Sequence, residues 1–372
     1  MSNKRPYRII ISGGGTGGHI YPAIAIAQEI KKRHEDAKIL FVGAKGKMEM
    51  QKVPEAGFEI KGLWISGIQR KASVRNLLFP VKLMKSLIDA RRIIKAFKPD
   101  AAVGVGGYAA GPLLYVAAKR KIPTLIQEQN SFAGLTNKWL AKSVDVICVA
   151  YKNMGRFFPP HKIKLTGNPV RSEIAENMPG KAEAAEHFGF DSNKPILLIL
   201  GGSLGARSIN EGVLKNLKKW TRDGIQVFWQ CGKFYHEEMQ HRIDKILGLD
   251  KSMVKVTPFI KEMNKAYALA DLVVSRAGAL SVSELCLVGR PVIFIPSPHV
   301  AEDHQTKNAQ ALEENGAAIC LKDSEQGEKL GDMVKKVITD ENKKSALASA
   351  IKKMALPNAT KDIVNELEEL YK

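Results

Sequence analysis

The chain has 372 residues, of which 45% are hydrophobic and 26% charged, with 31 glycines and 17 prolines. That length exceeds the roughly 100–200 residues of a typical domain, and the composition excludes a collagen-like, coiled-coil or largely disordered chain. The formal net charge is +19, and all of the excess lies in residues 1–170, which hold 29 Lys and Arg against 10 Asp and Glu. Residues 171–372 hold 28 residues of each sign. The first half is therefore expected to meet an anionic partner, such as lipid headgroups or nucleic acid.

The sequence carries no pattern of secretion or of a membrane span. The first residues lack the apolar core and cleavage site of a signal peptide, and no run approaches the ~20 apolar residues of a membrane-spanning helix. The four cysteines, Cys148, Cys231, Cys286 and Cys320, are far apart and lack zinc-site spacing. We expect a reduced, cytosolic environment and a membrane contact that is at most peripheral.

Short apolar runs alternate with helix-like segments along the first half of the chain. The predicted strands are Tyr7–Ile11, Ile39–Val42, Ala101–Val105, Thr124–Ile126 and Val144–Val149. Such alternation is typical of βαβ units and predicts a parallel sheet with helices on both faces.

The same pattern restarts in the second half. Its predicted strands are Ile196–Leu200, Val227–Trp229, Val254–Thr257, Leu272–Ser275, Val292–Ile295 and Ala318–Leu321. We therefore predict an α/β fold with two doubly wound, Rossmann-like domains, residues 1–169 and 170–357, facing each other across a cleft. The boundary is placed near the Asn168-Pro169 step, which disfavours regular structure. Residues 358–372 contain a short helix, Asp362–Tyr371, for which one placement is against the first domain.

The first glycine-rich motif, Gly13–His19, follows a predicted strand and opens the helix Ile20–Arg33. Backbone N–H groups at such a helix start favour an anion, and phosphate is the expected guest. The motif satisfies G-x-G-x-x-G, but the acid expected after the second strand of a dinucleotide site is missing, because Val42 leads into Gly43-Ala44-Lys45. NAD and FAD are disfavoured, and a purely structural turn is the alternative.

Two further glycine motifs, Gly104–Tyr108 and Gly201–Ala206, also lie where predicted strands end. Strand ends border the ligand crevice in open α/β sheets. Three such motifs favour a shared cleft for a large phosphorylated ligand, and the absence of G-x-x-x-x-G-K-[ST] disfavours P-loop phosphoryl transfer.

Small residues fill a predicted strand-to-helix turn at Ser275–Glu284. They would let a nucleotide approach closely, and the Glu284 carboxylate could accept both ribose hydroxyls. The alternative is a capping-box pair formed by Ser281 and Glu284.

Together these motifs resemble the MurG family of bacterial UDP-N-acetylglucosamine:muramyl-pentapeptide-pyrophosphoryl-undecaprenol N-acetylglucosaminyltransferases. The resemblance rests, in chain order, on Gly14–His19, Gly104–Tyr108, Glu128–Asn130, Gly167–Arg171, Gly201–Arg207, Ser283–Glu284 and His304–Gln305. It implies a GT-B glycosyltransferase whose first domain takes the undecaprenyl-linked acceptor and whose second domain takes UDP-N-acetylglucosamine. Transfer with inversion would give the β-1,4 bond of lipid II, at the cytoplasmic face of the cell membrane.

The resemblance also implies binding residues. Those expected to contact UDP-N-acetylglucosamine are Thr16, Gly17, Gly18, Asn130, Arg171, Ser203, Ile260, Ala279, Leu280, Ser281, Val282, Ser283, Glu284 and Gln305. Glu284 would hold the ribose, Ile260 and its backbone the uracil, and Ser203 with the adjoining amides the diphosphate. The residues expected at the acceptor diphosphate are Gly14, Gly15, Gly106, Gly107 and Tyr108. Glu302 and Asp303 place two acids beside this donor set.

Cleavage of the sugar–phosphate bond leaves negative charge on UDP. Preorganised amides with Arg171 or Arg276 can stabilise that charge without a metal, and the chain contains no Asp-x-Asp sequence that would bind one. We therefore expect neither a metal nor a cofactor.

Inversion by a single displacement requires a base for the attacking hydroxyl. His19 is the first candidate because its ordinary pKa suits the task, and its alternative roles are a helix cap or a diphosphate ligand. Glu128 is the second candidate, and its alternative role is that of a buried partner for backbone or arginine.

The basic region 61–98 contains ten Lys and Arg and one acid, Asp89. The residues predicted to meet an anionic inner leaflet are Arg75, Leu77, Leu78, Phe79, Lys82 and Lys85. A core helix with solvated basic residues is the alternative. No nucleic-acid-binding signature is present, so nucleic acid is not an expected partner. A GT-B enzyme acting on another lipid or small acceptor remains the competing function.

Overall fold

The computed structural model describes residues 6–67, 78–170, 173–202 and 204–371. The chain divides into two units, one formed by Met1–Val170 with Asn358–Lys372 and the other by Arg171–Pro357.

The first unit is built on a parallel sheet with the spatial order β3-β2-β1-β4-β5-β6-β7. The strands are β1 (Arg8–Ser12), β2 (Lys38–Ala44), β3 (Glu59–Leu63), β4 (Ala101–Gly104), β5 (Thr124–Glu128), β6 (Val146–Val149) and β7 (Ile163–Leu165). The chain leaves β1 in one direction and later returns to its other side at β4. The carboxyl ends of β1 and β4 therefore form a topological switch point, where open α/β sheets bind ligands.

Helices cover both faces of this sheet. They are α1 (Gly17–Arg33), α2 (Glu49–Glu55), α3 (Phe79–Phe97), α4 (Ala110–Lys119) and α5 (Leu135–Leu140). On one face α3, α4 and α5 share a core that includes Ala90, Leu113 and Leu140. On the other face α1 contributes Ile20 and Ile26 to a second core. The inner strands between these layers are mostly apolar, because neither of their faces meets water.

The second unit repeats this architecture with a parallel sheet in the order β10-β9-β8-β11-β12-β13. Its strands are β8 (Ile196–Leu200), β9 (Gln226–Gln230), β10 (Val254–Thr257), β11 (Leu272–Ser275), β12 (Val292–Phe294) and β13 (Ile319–Cys320). Its helices are α6 (Glu173–Glu176), α7 (Lys181–Phe188), α8 (Arg207–Arg222), α9 (His236–Asp244), α10 (Met263–Leu269), α11 (Ala279–Val288), α12 (His304–Glu313), α13 (Gln326–Ile338) and α14 (Glu341–Lys352). The switch point lies between β8 and β11.

The last helix, α15 (Ala359–Glu369), belongs to the first unit and packs on α1. Its Ile363 and Leu367 are fully buried. Arg33 at the end of α1 donates to the Asn365 side-chain oxygen over 2.7 Å, and His34 lies 3.0 Å from Glu368. The chain thus returns to complete the first unit after building the second.

The predicted fold class, two doubly wound parallel-sheet domains, is confirmed. The prediction missed two edge strands, β3 and β7, whose residues are half-buried or exposed along most of their length. It also began α1 at Ile20, whereas the helix starts at Gly17. Within the described ranges, no helix combines the length and apolar character needed to cross a membrane.

Candidate active site

Two glycine turns pack against each other at the switch point of the first unit. A Cβ atom added to Gly107 would lie 2.5 Å from the Gly14 carbonyl oxygen, and one added to Gly106 would lie 2.7 Å from the His19 ring. Gly106 and Gly107 also have φ values of +96° and +91°. Only glycine satisfies both conditions. The structure thus brings together the predicted residues Gly14, Gly106, Gly107 and His19.

His19 lies in the first turn of α1 and is half-buried. Its Nδ1 is 3.1 Å from the Gly14 carbonyl oxygen and 3.4 Å from Thr16 Oγ1. A carbonyl oxygen only accepts, so Nδ1 carries the proton in this contact. Nε2 is then the basic ring nitrogen, which is the state that a general base requires.

Glu49 fills the space beneath the first glycine turn and was not predicted as a site residue. It is 1% exposed. Its Oε2 accepts the Gly15 N–H over 2.8 Å, and its Oε1 accepts the Ala44 N–H over 2.9 Å. The Gly15 amide expected to serve a phosphate is therefore bonded to a carboxylate of the protein. The sequence signal was weak, because Glu49 follows β2 by five residues rather than ending it.

Glu128 is buried at the end of β5, and the protein supplies its hydrogen-bond donors. The N–H groups of Asn130 and Gly134 donate to its two oxygens over 3.1 and 3.0 Å. The Asn137 side-chain amide donates over 2.9 Å, and the Asn130 side chain over 3.3 Å. This geometry matches the alternative role, that of a buried partner which holds the loop carrying Asn130.

Two more residues of the predicted motifs in this unit, Tyr108 and Asn168, differ in exposure. Tyr108 is exposed and its ring covers Gly67, where an added Cβ would lie 2.3 Å from the ring. Asn168 is buried and accepts from the Gln127 side chain over 3.0 Å, while it donates to the Gln129 carbonyl over 3.0 Å. The Gly-Asn-Pro-Val motif therefore anchors the end of the first unit.

The glycine turn of the second unit is lined by backbone. A Cβ on Gly205 would lie 2.2 Å from the Cys231 carbonyl oxygen, and one on Gly232 would lie 2.2 Å from the Gly205 backbone. Helix α8 begins directly after this turn, and its N-cap residue Ala206 makes no side-chain capping bond. The first N–H groups of α8 therefore favour an anion.

Glu284 lies on α11, beside the phenol of Tyr267. Tyr267 is fully buried and donates to Glu284 Oε2 over 3.3 Å. The capping-box alternative is wrong, because α11 begins at Ala279 and its N-cap is Gly278, which places Ser281 inside the helix. Ala279, Leu280, Ser281, Ser283 and Glu284 are all partly exposed, whereas Val282 is buried.

Arg276 is held by the protein through four hydrogen bonds. It donates to the Ile295 and Pro296 carbonyls over 2.9 and 3.1 Å, and to Asp323 and Ser208 over 2.5 and 2.8 Å. The guanidinium thus joins the ends of β11 and β12 to the start of α8. This geometry favours a positioning role over the predicted direct contact with the leaving group.

Two other residues predicted to contact UDP-N-acetylglucosamine, Ile260 and Gln305, also make hydrogen bonds within the protein. The Ile260 N–H donates to the Gln230 side-chain oxygen over 2.9 Å, and Ile260 itself is buried, three residues after β10. Gln305 accepts the Ser297 N–H over 2.8 Å at the start of α12. Glu302 and Asp303, directly before α12, have φ values of +53° and +54°, which non-glycine residues rarely adopt.

Helix α3 exposes an apolar stripe that includes Leu78, Val81, Met84 and Ile88. Phe79 instead packs against the core of the first unit. Lys82 lies 5.6 Å from the centre of the Trp64 ring and donates to Ser66 over 3.0 Å, and Lys85 is 3.6 Å from Asp89. The predictions that concern Arg75, Leu77, Arg171 and Ser203 lie outside the described residues.

The cysteines do not supply a nucleophile. Burial raises the pKa of Cys148 and of Cys286 to about 12, so both thiols are protonated near neutral pH. In the part of the chain that the structure describes, no group of three or more His, Cys, Asp or Glu could hold a metal ion.

Comparison with protein families matches residues 9–149 to the glycosyltransferase family 28 N-terminal domain and residues 196–364 to the C-terminal domain of that family. Similar proteins include two enzymes named UDP-N-acetylglucosamine–N-acetylmuramyl-(pentapeptide) pyrophosphoryl-undecaprenol N-acetylglucosamine transferase. That of Cytophaga hutchinsonii is 53% identical and that of Christiangramia forsetii 52%, over 100% and 99% of this chain and 98% of each relative.

Solved structures that resemble this chain include one MurG and one more distant glycosyltransferase. MurG of Acinetobacter baumannii has a TM-score of 0.80 and 30% identity, with coverage of 98% of this chain and 100% of that one. A kitacinnamycin glycosyltransferase has a TM-score of 0.70 at 15% identity over 99% of this chain and 100% of that one, and shares the fold alone.

Proposed function

This chain belongs to glycosyltransferase family 28, and from that premise we propose that it transfers N-acetylglucosamine from UDP-N-acetylglucosamine to lipid I, the undecaprenyl-linked N-acetylmuramyl-pentapeptide. The product is lipid II, a peptidoglycan precursor. The observation that carries this proposal is identity above 50%, over nearly the whole chain, to enzymes named for that reaction.

The second unit is the proposed donor-binding domain. The Glu284 carboxylate, which Tyr267 orients, accepts the ribose hydroxyls, and the turn that ends in Gly205 receives the diphosphate with the first N–H groups of α8. Ile260 contacts the uracil from the end of β10. Arg276 keeps the strand ends in register through Asp323, and its charge lies close to the developing negative charge of UDP.

The first unit is the proposed acceptor domain, and His19 is its general base. The 4-hydroxyl oxygen of the N-acetylmuramyl residue forms a bond to the anomeric carbon of N-acetylglucosamine. The bond from that carbon to the UDP oxygen breaks, and UDP leaves with the electron pair. The hydroxyl proton moves to Nε2 of His19, whose Nδ1–H is held by the Gly14 carbonyl. We assign Glu128 the role of holding the Asn130 loop.

The membrane face is also assigned to the first unit. Besides its apolar stripe, helix α3 carries five basic residues, Lys82, Lys85, Arg91, Arg92 and Lys95, and a single acid, Asp89. Apolar side chains that alternate with cations suit the anionic leaflet that contains the acceptor. We propose that the enzyme binds peripherally through this helix on the cytoplasmic side.

A transfer assay tests the proposal directly. Purified protein is incubated with radiolabelled UDP-N-acetylglucosamine and a lipid I analogue, and label in the lipid product is measured. We expect Glu284→Ala to lower kcat/KM roughly 10- to 100-fold, because a hydrogen bond to a charged group contributes about 1.5–3 kcal/mol. Glu211→Ala is the control, since Glu211 binds Arg242 on the surface of the same unit.

The same assay separates the competing function. If no lipid product forms while UDP-N-acetylglucosamine still raises the thermal midpoint, the donor site is retained and the acceptor is another lipid or small molecule. If neither effect occurs, the proposed reaction is wrong.

A further inference from the structure

One peptide group connects the buried Glu49 carboxylate to the His19 ring. The peptide between Gly14 and Gly15 donates its N–H to Glu49 Oε2 over 2.8 Å. The carbonyl oxygen of the same peptide lies 3.1 Å from His19 Nδ1. In a trans peptide the C=O and N–H point in opposite directions, so the carboxylate and the imidazole bind opposite edges of one planar group.

This arrangement couples the Glu49 carboxylate electrostatically to the His19 ring, in addition to fixing the position of the ring. A carboxylate that accepts the N–H makes a charge-assisted hydrogen bond, which polarises the peptide and increases the negative charge on its carbonyl oxygen. That oxygen is the one that accepts from Nδ1 of His19. A stronger acceptor there favours the tautomer with the proton on Nδ1 and stabilises the imidazolium once Nε2 has taken a second proton.

The space around Glu49 is organised for a carboxylate. Both oxygens accept backbone N–H groups, which is the pattern of the ionised, acceptor-only form. A Cβ on Gly14 would lie 2.2 Å from Glu49 Oε1, and one on Gly43 would lie 2.5 Å from its Cγ. An apolar side chain would leave the Gly15 and Ala44 N–H groups without an acceptor, so the carboxylate pairs both of them. The same carboxylate places a negative charge beside the peptide whose carbonyl contacts His19.

We propose that Glu49 is a positioning residue that fixes and polarises His19 through the Gly14–Gly15 peptide, as a carboxylate does for a catalytic histidine when it binds the ring directly. This inference rests on the proposed role of His19 as the base. In the transfer step, the proton of the attacking hydroxyl arrives on Nε2, and the Glu49 charge offsets the positive charge that the ring gains.

Other groups near His19 are accounted for in the test. Thr16 Oγ1, 3.4 Å from Nδ1, is a second hydrogen-bond partner. Titratable side chains on the elements around this turn include Tyr21 on α1, Lys45 after β2, Lys52 and Glu55 on α2, Tyr108 after β4 and Glu128 on β5. None of them is changed by a substitution at Glu49, so an altered pH profile reports on the Glu49 charge.

The experiment measures kcat between pH 5 and 9 for the wild type, Glu49→Gln and the control Asp145→Asn. Asp145 accepts the Thr124 N–H and hydroxyl at the opposite, amino end of the sheet. For Glu49→Gln we expect kcat to fall about tenfold or more, a part of the 10²–10⁴ that base catalysis contributes. The acidic limb of the profile moves about one unit to lower pH, because the imidazolium loses a favourable charge. The control keeps the wild-type profile.

A double-mutant cycle distinguishes this coupling from a purely structural role. In a His19→Ala background, Glu49→Gln should cause no further loss of kcat, since the ring on which it acts is absent. Equal losses of kcat in both backgrounds, together with an unmoved acidic limb, would overturn the proposal. Glu49 would then have only the structural role of linking the turn after β1 to the end of β2.

A second variant covers the case in which Glu49→Gln unfolds. Glu49→Asp keeps the charge one methylene further away, so we expect a smaller loss of kcat and an acidic limb near that of the wild type. A shift of the acidic limb by about one unit in Glu49→Asp, the size expected for loss of the charge, would overturn the proposal. Wild-type activity in His19→Ala alone would instead show that the proposed base is wrong. Loss of activity in His19→Ala with an unaffected Glu49→Gln would remove only the inference about Glu49.

Discussion

The glycine turn after β1 in the first unit and the glycine turn after β8 in the second unit, here the first and the second turn, look alike in sequence but differ in what lies beneath them. Both follow an apolar strand, β1 or β8, and both lead into a long helix. The first turn rests on the buried carboxylate of Glu49, which takes the Gly15 N–H. The second turn rests on the backbone of Cys231 and Gly232. Both α1 and α8 begin without a side-chain cap, so the difference lies in the charge below the turn. The Glu49 carboxylate disfavours an anion at the first turn and favours a protonated imidazole there, whereas the uncharged backbone below the second turn leaves the start of α8 to favour an anion.

This difference teaches that a glycine-rich strand-to-helix turn does not by itself specify phosphate binding. The turn supplies close approach, but the protein takes some of its N–H groups: Glu49 accepts that of Gly15, and the Gln230 and Gly202 carbonyls accept those of Gly201 and Gly205. The segment packed under the turn decides which charge a ligand meets there. In the first unit that segment follows β2, and in the second it follows β9. We therefore assign proton transfer to the first turn and the diphosphate to the second.

The largest effect is expected when the first turn loses its base. His19→Ala should lower kcat by about 10²–10⁴-fold, while UDP-N-acetylglucosamine still raises the thermal midpoint, because the proposed donor-binding domain is the second unit. Transfer kinetics and thermal unfolding measure the two effects. His161→Ala is the control, an exposed histidine in the same unit. Loss in His19→Ala of the shift in thermal midpoint caused by UDP-N-acetylglucosamine would contradict the different roles assigned to the two turns, since the first turn would then also bind the donor.

A smaller effect is expected from crowding of the second turn. Gly205 has a φ of +85° and would place a Cβ 2.2 Å from the Cys231 carbonyl oxygen. Gly205→Ala should therefore lose about 1–2 kcal/mol from backbone strain and about 1–3 kcal/mol from overpacking. Gly15, also at +85°, has nothing within 4 Å. We expect Gly15→Ala to show the strain alone, as a smaller fall in thermal midpoint.

Gly224 is the matched control within the second unit. It has a φ of +82° and open space around the position of a Cβ. Its replacement by alanine should lower the midpoint about as much as Gly15→Ala does. Equal effects at Gly205 and Gly224 would mean that the Cys231 and Gly232 backbone shifts to make room for the added methyl group.

The smallest effect is expected at the membrane-binding surface proposed for the first unit, which has no counterpart in the second. The first unit carries the excess of basic residues and the exposed stripe of α3, in which Met84 is 60% exposed. Met84→Ser should weaken binding to vesicles that contain anionic lipid by roughly fivefold, from loss of about 1 kcal/mol of apolar burial. Cosedimentation at two salt concentrations measures this. Phe234→Ser, 77% exposed on the second unit, should leave binding unchanged. Equal losses would place both units at the membrane.

The interior strands could be predicted because their burial on both faces leaves an unbroken apolar run. Ile196–Leu200 is apolar at every position and became β8 with the predicted bounds. Glu59–Leu63 pairs with only one neighbour, β2, and alternates exposed and half-buried residues up to its buried last residue, Leu63. Its sequence therefore lacked the run that the search for strands requires.

The candidate site was predictable where the residue lies within a local motif. His19 and Glu284 each sit in the first turns of a helix that follows a strand end. Glu49, Tyr267 and Asp323 were missed because each acts on a residue distant in the chain. Arg276 was interpreted as a ligand contact, since no local pattern indicates that its partners Ser208 and Asp323 fold around it.

By itself the sequence determined the two parallel sheets, the turns at their switch points and the family. Periodicity and strand–turn–helix motifs are local, and a few neighbouring residues suffice to encode them. Only the tertiary structure decided which N–H groups of those turns remain for a ligand, and which carboxylates hold the backbone. Those outcomes depend on hydrogen bonds between segments brought together by folding, such as Glu49 with Gly15, and buried polar groups must find such partners.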